Sequence, residues 1–234
     1  MAAVGKLTIV ATPIGNLGDL SPRAAQVLSD ADVWFVEDTR VSGKLQTHLG
    51  VKRPMRVLND HTTPERARGY AQEVESGTKA ALLTDAGTPV VSDPGTVLIE
   101  ECLARGVEID AVPGPSAVTT ALSLSGFFAQ RFAFLGYPPR KPGPMRELLA
   151  PYADSSLTLV FFESPHRLGK LLAACAETLG NRRYAVCREL TKAFQQVWRS
   201  TLPEVPDERK VPQKGEVTLV VEGRRNRTEV EARV

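Results

Sequence analysis

Cysteine and histidine are scarce in this 234-residue sequence, with three of each: Cys102, Cys175 and Cys187, and His48, His61 and His166. They are widely spaced and form no C-x-x-C pair, so neither a disulfide framework nor a zinc site is readable; no metal is expected. Such thiol usage fits a reducing compartment and predicts a cytoplasmic protein. No run approaches the roughly 18 apolar residues that a membrane span needs. No cationic N-terminal stretch precedes an uninterrupted apolar core, so neither a signal peptide nor a membrane partner is expected. Three further absences narrow the chemistry. Without G-x-x-x-x-G-K-[ST] there is no P-loop, and without G-x-G-x-x-G no dinucleotide fingerprint. Without G-x-S-x-G there is no nucleophile elbow.

What is present reads as a soluble globular chain, 42% hydrophobic and 24% charged. The net charge of +2 conceals an asymmetry. Residues 1–116 carry 11 Lys and Arg against 15 Asp and Glu, a balance of −4; residues 117–234 carry 18 against 12, a balance of +6. A basic half suits a polyanionic partner, because phosphate contacts dominate nucleic-acid affinity.

The first half alternates short apolar runs with helical stretches. Leu7–Ala11, Val33–Val36, Met55–Leu58, Ala80–Leu83 and Val107–Val112 read as strands. Helices are expected from Pro22 to Asp30, Ser42 to Leu49, Pro64 to Ser76, Gly95 to Ala104 and, opening at Ser116, Ala117 to Leu124. Such alternation predicts a mainly parallel, layered α/β sheet. The pattern changes near Ser116–Phe127, giving domains of residues 1–116 and 117–234. In the second, Phe132–Leu135, Leu157–Phe162, Tyr184–Arg188, Gln195–Thr201 and Glu216–Val221 read as strands, the last three as a meander. Gly136–Pro144 carries too much proline for helix or central strand, and helices are expected over Met145–Tyr152 and Leu168–Leu179. The arginine-bearing tail Gly223–Val234 is expected to fray.

Three Gly/Pro loops each follow a strand of the first half: Thr12–Gly18, Asp85–Gly95 and Pro113–Ser116. Parallel strands put their carboxyl ends on one edge, where open α/β sheets bind ligands, so the loops should converge on a pocket. With Glu37, Asp38 and Asp85 at strand ends, that pocket suits hydroxyls, amines or a positive centre better than a triphosphate. The second half adds Glu163-Ser164-Pro165-His166-Arg167 and Arg188-Glu189-Leu190-Thr191-Lys192. They read either as a polar rim that grips an anion and supplies a proton acceptor, or as solvated charge with His166 capping a helix.

Taken together, Ala11-Thr12-Pro13-Ile14-Gly15-Asn16-Leu17, Glu37-Asp38-Thr39-Arg40, Asp85-Ala86-Gly87-Thr88-Pro89, Ser92-Asp93-Pro94-Gly95, Val112-Pro113-Gly114-Pro115-Ser116, Phe162–Arg167, Arg188–Lys192 and Lys214-Gly215-Glu216 occur in the order typical of one group. The sequence resembles the small-subunit ribosomal RNA 2'-O-ribose methyltransferases of the tetrapyrrole methylase superfamily, from about Leu7 to Gly223. The resemblance implies a two-domain α/β fold, with a mainly parallel sheet in the N-terminal domain and a mixed sheet in the C-terminal one. It implies a homodimer that binds S-adenosyl-L-methionine in the interdomain cleft and methylates a cytidine ribose of 16S rRNA in the decoding region of the small subunit. The resemblance implies that relatives often continue into a small basic C-terminal extension, whereas this sequence stops at Val234.

Carried over by position, the cofactor residues are Pro13, Ile14, Gly15, Asp85, Gly87, Thr88, Val91, Pro113, Gly114, Ser116 and Ala117, closed by Phe162, Cys187 and Thr218. Arg40, Arg140, Lys141, Arg167, Arg188 and Lys192 would hold the RNA. A ribose hydroxyl is a poor nucleophile, so a base should take its proton. Glu163, Asp85 and His166 are the candidates, with Lys192 orienting phosphate, and the sequence does not rank them. Two other readings stand beside this one. One is a methyltransferase of the same fold acting on a small molecule such as a precorrin, where Gly-Asp-Pro is more usual than the Asp-Ala-Gly-Thr-Pro found here. The other is a non-catalytic ribosome-associated binder, which leaves the three loops unexplained.

Overall fold

The computed structural model describes residues 5–225, which form two compact units, the first ending at Ser116 and the second beginning at Ala117. In the first, β1 (Lys6–Val10), β2 (Val33–Val36), β3 (Met55–Val57), β4 (Lys79–Leu82) and β5 (Glu108–Val112) pair in the order β3-β2-β4-β1-β5, every pairing parallel. The connections run through α1 (Pro22–Asp30), α2 (Thr39–Leu49), α3 (Pro64–Glu75) and α4 (Thr96–Ala104). Helices on both faces explain why β2 is buried at all four positions rather than alternating. Val33 and Phe35 pack with Leu7, Leu82, Val74 and Leu98. Trp34 and Val36 pack on the other side with Val10, Leu28 and Leu45.

Side chains set the helix starts. Ser21 accepts the Ala24 N–H at 3.1 Å, with Pro22 in the first turn, where a missing N–H costs nothing. Asp38 accepts the Arg40 N–H at 2.8 Å, so α2 starts at Thr39, three residues ahead of the Ser42 expected from periodicity.

In the second unit β6 (Phe132–Phe134), β7 (Thr158–Glu163), β8 (Arg183–Arg188), β9 (Gln196–Thr201) and β10 (Val217–Val221) form a mixed sheet ordered β6-β7-β10-β8-β9. Only β6 and β7 run parallel. This corrects the expected meander: β8 and β9 are neighbours, but β10 inserts between β7 and β8. All five β10 residues are buried, which a central strand provides and an edge strand does not. The helices are α5 (Ala117–Ser125), α6 (Pro142–Leu149) and α7 (Pro165–Leu179).

Two further expectations are corrected here. The proline-rich segment is not loop to its end, because Pro142–Pro144 form the first turn of α6, where backbone N–H groups have no partner in the helix. Pro165 likewise starts α7 early, putting His166 and Arg167 inside its first turn. Of the tail expected to fray, Asn226–Val234 lie outside the described residues, while Gly223–Arg225 are held in place. The Arg224 N–H donates to Ser155 O at 2.7 Å, and the Arg225 guanidinium lies 4.3 Å from the Phe128 ring centroid.

One face of this sheet forms the larger core, in which Phe161, Leu219, Tyr184 and Val186 pack against Leu171, Leu172 and Cys175 of α7 and Met145 and Leu149 of α6. Phe161 is completely buried. Phe161→Ala is expected to destabilise the protein by about 3–5 kcal/mol, the usual cost of an emptied aromatic site. In urea titrations the midpoint falls while the slope is retained.

Candidate functional site

Strands β4, β1 and β5 are adjacent, so the loops that follow them leave the sheet side by side at its carboxyl edge. They interlock through the main chain. Thr12 N donates to Gly87 O at 2.8 Å and Gly87 N to Thr12 O at 3.1 Å. The Thr12 hydroxyl donates to Thr84 O at 3.2 Å, and the Thr88 hydroxyl to Pro115 O at 3.1 Å.

The glycines are required by these approaches. Gly87 has φ +88°, and a β-carbon there would lie 3.3 Å from Ile14 Cγ2. At Gly114 a β-carbon would lie 3.0 Å from Ala11 Cβ. The loop after β4 also holds Val90 at φ +74° and Ser92 at φ +65°. A β-branched residue in that region costs on the order of 1–3 kcal/mol, and such strain is concentrated where proteins bind ligands. Pro13, Ile14, Gly15, Asp85, Gly87, Thr88, Val91, Pro113, Gly114 and Ser116 thus lie on three contiguous loops, and Ala117 opens α5.

The edge is acidic where β2 joins it. Glu37 accepts the Thr84 hydroxyl at 3.0 Å, and Asp85 accepts the Asp38 N–H at 3.2 Å. Burial, reinforced by the Glu37 charge, raises the Asp85 pKa. Asp93 is pushed up to about 6 by burial, against a Thr84 hydrogen bond, with Glu37, Asp85 and Asp60 adding to the rise. Asp38 goes the other way, to about 2, because Arg40 binds it through both side chain and backbone. Arg40 Nε lies 3.0–3.1 Å from both Asp38 oxygens, while its side chain stays 88% exposed.

Glu163 ends β7 and is only 3% exposed. Its Oε1 accepts the Ser164 N–H at 2.8 Å. Its Oε2 is buried without a hydrogen-bond partner, 3.3 Å from Arg167 Nη2 but outside hydrogen-bonding alignment. Burial raises the Glu163 pKa, opposed by the Ser164 N–H and by the charges of Arg167 and Arg140. Arg167 donates to Pro138 O at 3.0 Å and Pro139 O at 3.3 Å. His166 is exposed, its Nδ1 2.9 Å from Gln213 Oε1. Arg140 and Lys141 are exposed at the start of α6.

Lys192 and Arg188 are engaged within the second unit. Lys192 Nζ lies 3.0 Å from Glu189 Oε1 and 2.8 Å from Glu216 Oε2. Arg188 donates to Lys214 O at 3.1 Å, Phe194 O at 3.2 Å and Gln196 Oε1 at 3.3 Å. A β-carbon on Gly215 would lie 2.5 Å from the Glu189 carboxyl, so glycine is what lets that carboxylate sit there. The contacts of Thr12, Thr84, Glu189 and Glu216 are not readable from sequence; the runs Arg188–Lys192 and Lys214-Gly215-Glu216 are the signals that point at part of this network.

Phe162, Thr218 and Cys187 form a single row across β7, β10 and β8. Cys187 Sγ lies 3.9 Å from Ala121 O of α5, and burial raises its thiol to about 11, so it stays protonated. Among the described residues, no group of three or more His, Cys, Asp and Glu is placed to hold a metal ion.

The raised Asp93 pKa carries a stability prediction. Its folded pKa of about 6 lies above the 3.8 of an ordinary aspartate, so the native state binds more protons between the two and stability falls as pH rises through that window. Asp93→Asn is expected to remove that part of the pH dependence. After screening, the gain at pH 7 relative to pH 4 is about 1 kcal/mol, read from denaturant midpoints at the two pH values. Equal pH slopes for both proteins would refute it.

Comparison with known proteins agrees with this architecture. Residues 6–206 match the family described as Tetrapyrrole (Corrin/Porphyrin) Methylases. The chain is 42% identical to the ribosomal RNA small subunit methyltransferase I of Xylella fastidiosa, covering 95% of this chain and 83% of that one. It is 40% identical to the protein of the same name from Thermotoga maritima, covering 94% and 100%. With that of Mycobacterium tuberculosis the identity is 43%, covering 94% and 78%. Among solved structures, diphthine synthase superposes with a TM-score of 0.73 at 16% identity over 97% of this chain and 93% of that one. The uroporphyrin-III C-methyltransferase of Thermus thermophilus, complexed with S-adenosyl homocysteine, superposes with a TM-score of 0.63 at 20% identity over 93% and 97%. A two-unit fold with a parallel and a mixed sheet, matched over nearly its whole length, places this chain in the tetrapyrrole methylase family and, within it, among the ribosomal RNA small subunit methyltransferases I.

Proposed function

We propose that this protein transfers a methyl group from S-adenosylmethionine to the 2'-hydroxyl of a cytidine ribose in 16S rRNA of the small ribosomal subunit. The observation that carries this reading is an identity of 40–43% over 94–95% of the chain to three proteins named ribosomal RNA small subunit methyltransferase I. Likeness to corrin and porphyrin methylases rests on 16–25% identity, so it supports the fold and does not favour a precorrin substrate.

The residues present fit the cofactor. Gly87 and Gly114 let the loops close on one another where a β-carbon would crowd Ile14 and Ala11, and the neighbouring carboxylates, Asp85 foremost, suit a cationic sulfur. Bound there, the cofactor supplies an electrophilic methyl. Pro13, Ile14, Gly15, Thr88, Val91, Pro113, Ser116 and Ala117 are proposed to complete its binding, while Phe162, Cys187 and Thr218 are proposed as contacts through the family resemblance alone.

The chain's own work is to hold the cofactor, position the ribose and take a proton. Among the candidate bases, Glu163 has the best support. It is buried, one oxygen lacks a hydrogen bond, and desolvation raises its basicity while Arg167 and the Ser164 N–H keep the charged form available. Asp85 is proposed to act on the cofactor side, and His166 to assist at the exposed rim. Lys192, tied to two carboxylates, and Arg188, tied to two carbonyls and Gln196, are proposed to shape the RNA-facing loop. Arg140, Lys141, Arg167 and Arg40 are proposed to meet phosphates. A cytoplasmic location and a homodimer follow from the same resemblance, and the exposed Val97 and Leu103 of α4 offer apolar surface for a second copy.

The test is transfer of tritiated methyl to small subunits from a strain lacking this modification, with cofactor binding measured in parallel by calorimetry. The native protein is expected to bind the cofactor and label 16S rRNA at one cytidine ribose. Glu163→Gln is expected to lower kcat by about 10²- to 10⁴-fold with cofactor affinity unchanged. Full turnover by Glu163→Gln would move the base to Asp85 or His166, and absence of label with the native protein would reject the reading.

A further inference from the structure

An exposed aromatic ring packs on Phe162, the residue before Glu163 in β7, from a loop that is well fixed. Tyr137 is 65% exposed, although it lies only two residues beyond Leu135, whose N–H continues the β6–β7 pairing to Val160 O at 2.9 Å. Gly136, at φ +61°, turns the chain outward, and its carbonyl accepts the Phe162 N–H at 3.0 Å. Beyond the tyrosine, the Arg167 guanidinium holds the Pro138 and Pro139 carbonyls at 3.0 and 3.3 Å. The Tyr137 ring leans on Phe162, centroids 5.6 Å apart, and Phe162 is backed edge-on by Phe134 at 4.8 Å. The ring is therefore exposed yet braced from beneath and from both sides along the chain. The exposed cations Arg140 and Lys141 follow within four residues.

A side chain kept for packing would bury this ring, and a loop kept for solubility would not fix one in place. A braced aromatic surface flanked by cations is what an unpaired base needs: a face to stack on and charge for the phosphates on either side. We propose that Tyr137 is a base-stacking platform that receives an unpaired nucleotide of the RNA. This deepens the rRNA methyltransferase reading and rests on it. Phe162 also gains a second role, since its ring fixes the plane of the platform. Stacking depends on the ring and not on the phenol hydroxyl, so aromatic replacements should serve.

The experiment measures binding of a fluorescein-labelled, unstructured oligocytidylate of about ten nucleotides, within the usual range of single-strand sites, by anisotropy at one fixed salt concentration. Each protein is also assayed for cofactor affinity, urea midpoint and methyl transfer to small subunits. Tyr137→Ala is expected to weaken oligonucleotide binding by about 5- to 150-fold, the measured worth of one stacked base. Its KM for subunits should rise, with cofactor affinity and the urea midpoint unchanged. Tyr137→Phe and Tyr137→Trp are expected to bind within about threefold of the native protein. Equal binding by Tyr137→Ala, a loss in Tyr137→Phe as large as that in Tyr137→Ala, or no binding by the native protein would each overturn the proposal. Failure of the native protein to label 16S rRNA would instead count against the function reading, and the oligonucleotide arm would still decide the platform.

Discussion

Two backbone hydrogen bonds between Thr12 and Gly87 hold the first unit's loops in the arrangement everything else in that unit serves. They form an isolated antiparallel bridge beyond the parallel β1–β4 ladder and tie together what would otherwise be independent connections. Because β1 lies between β4 and β5, fixing its loop to Gly87 also brings Pro113–Ser116 within reach of Thr88. Three loops that would each lose considerable entropy on binding a ligand are already ordered. The left-handed Val90 and Ser92 show that some of the folding energy is spent on loop shape.

The second unit solves a different problem, that of keeping charged groups on one end of a mixed sheet without mutual collapse. Arg188 is held by carbonyls, and Lys192 sits between Glu189 and Glu216; Arg167 spans Pro138, Pro139 and Glu163. Each cation has a partner that fixes it, and the partners are loop carbonyls or carboxylates. The outcome is a stiff rim in which Glu163 keeps a buried oxygen without a hydrogen bond. Such an oxygen is expensive unless something uses it.

Much of the architecture was legible in the sequence because the relevant physics is local. The runs at 33–36 and 80–83 are apolar throughout, as strands covered on both faces must be, and Ser21-Pro22 marks a helix start by hydrogen-bond chemistry alone. Where that reading went astray, a non-local effect decided. β10 looks like the last strand of a meander from its position in the chain, but all five of its residues are buried, as only the centre of the sheet allows. Pro142–Pro144 look like loop by composition, yet the first turn of a helix needs none of the N–H groups they lack.

The site divides in the same way. Glycines at 87 and 114 and prolines at 13 and 113 made the rigid, interlocked loops legible, since residue type by itself limits what the main chain can do. The sequence also named the cations of the second unit, but not what each holds. Whether Lys192 faces solvent or two carboxylates, and whether Tyr137 is core or exposed platform, depends on residues some 20 or more positions away in the chain. Glu216 and Phe162 make those decisions through contacts that exist only once the sheet has formed. Residue identity thus determined the chemistry available to this protein, and tertiary packing decided which groups remain free to use it, because burial and partnering are properties of neighbours in space.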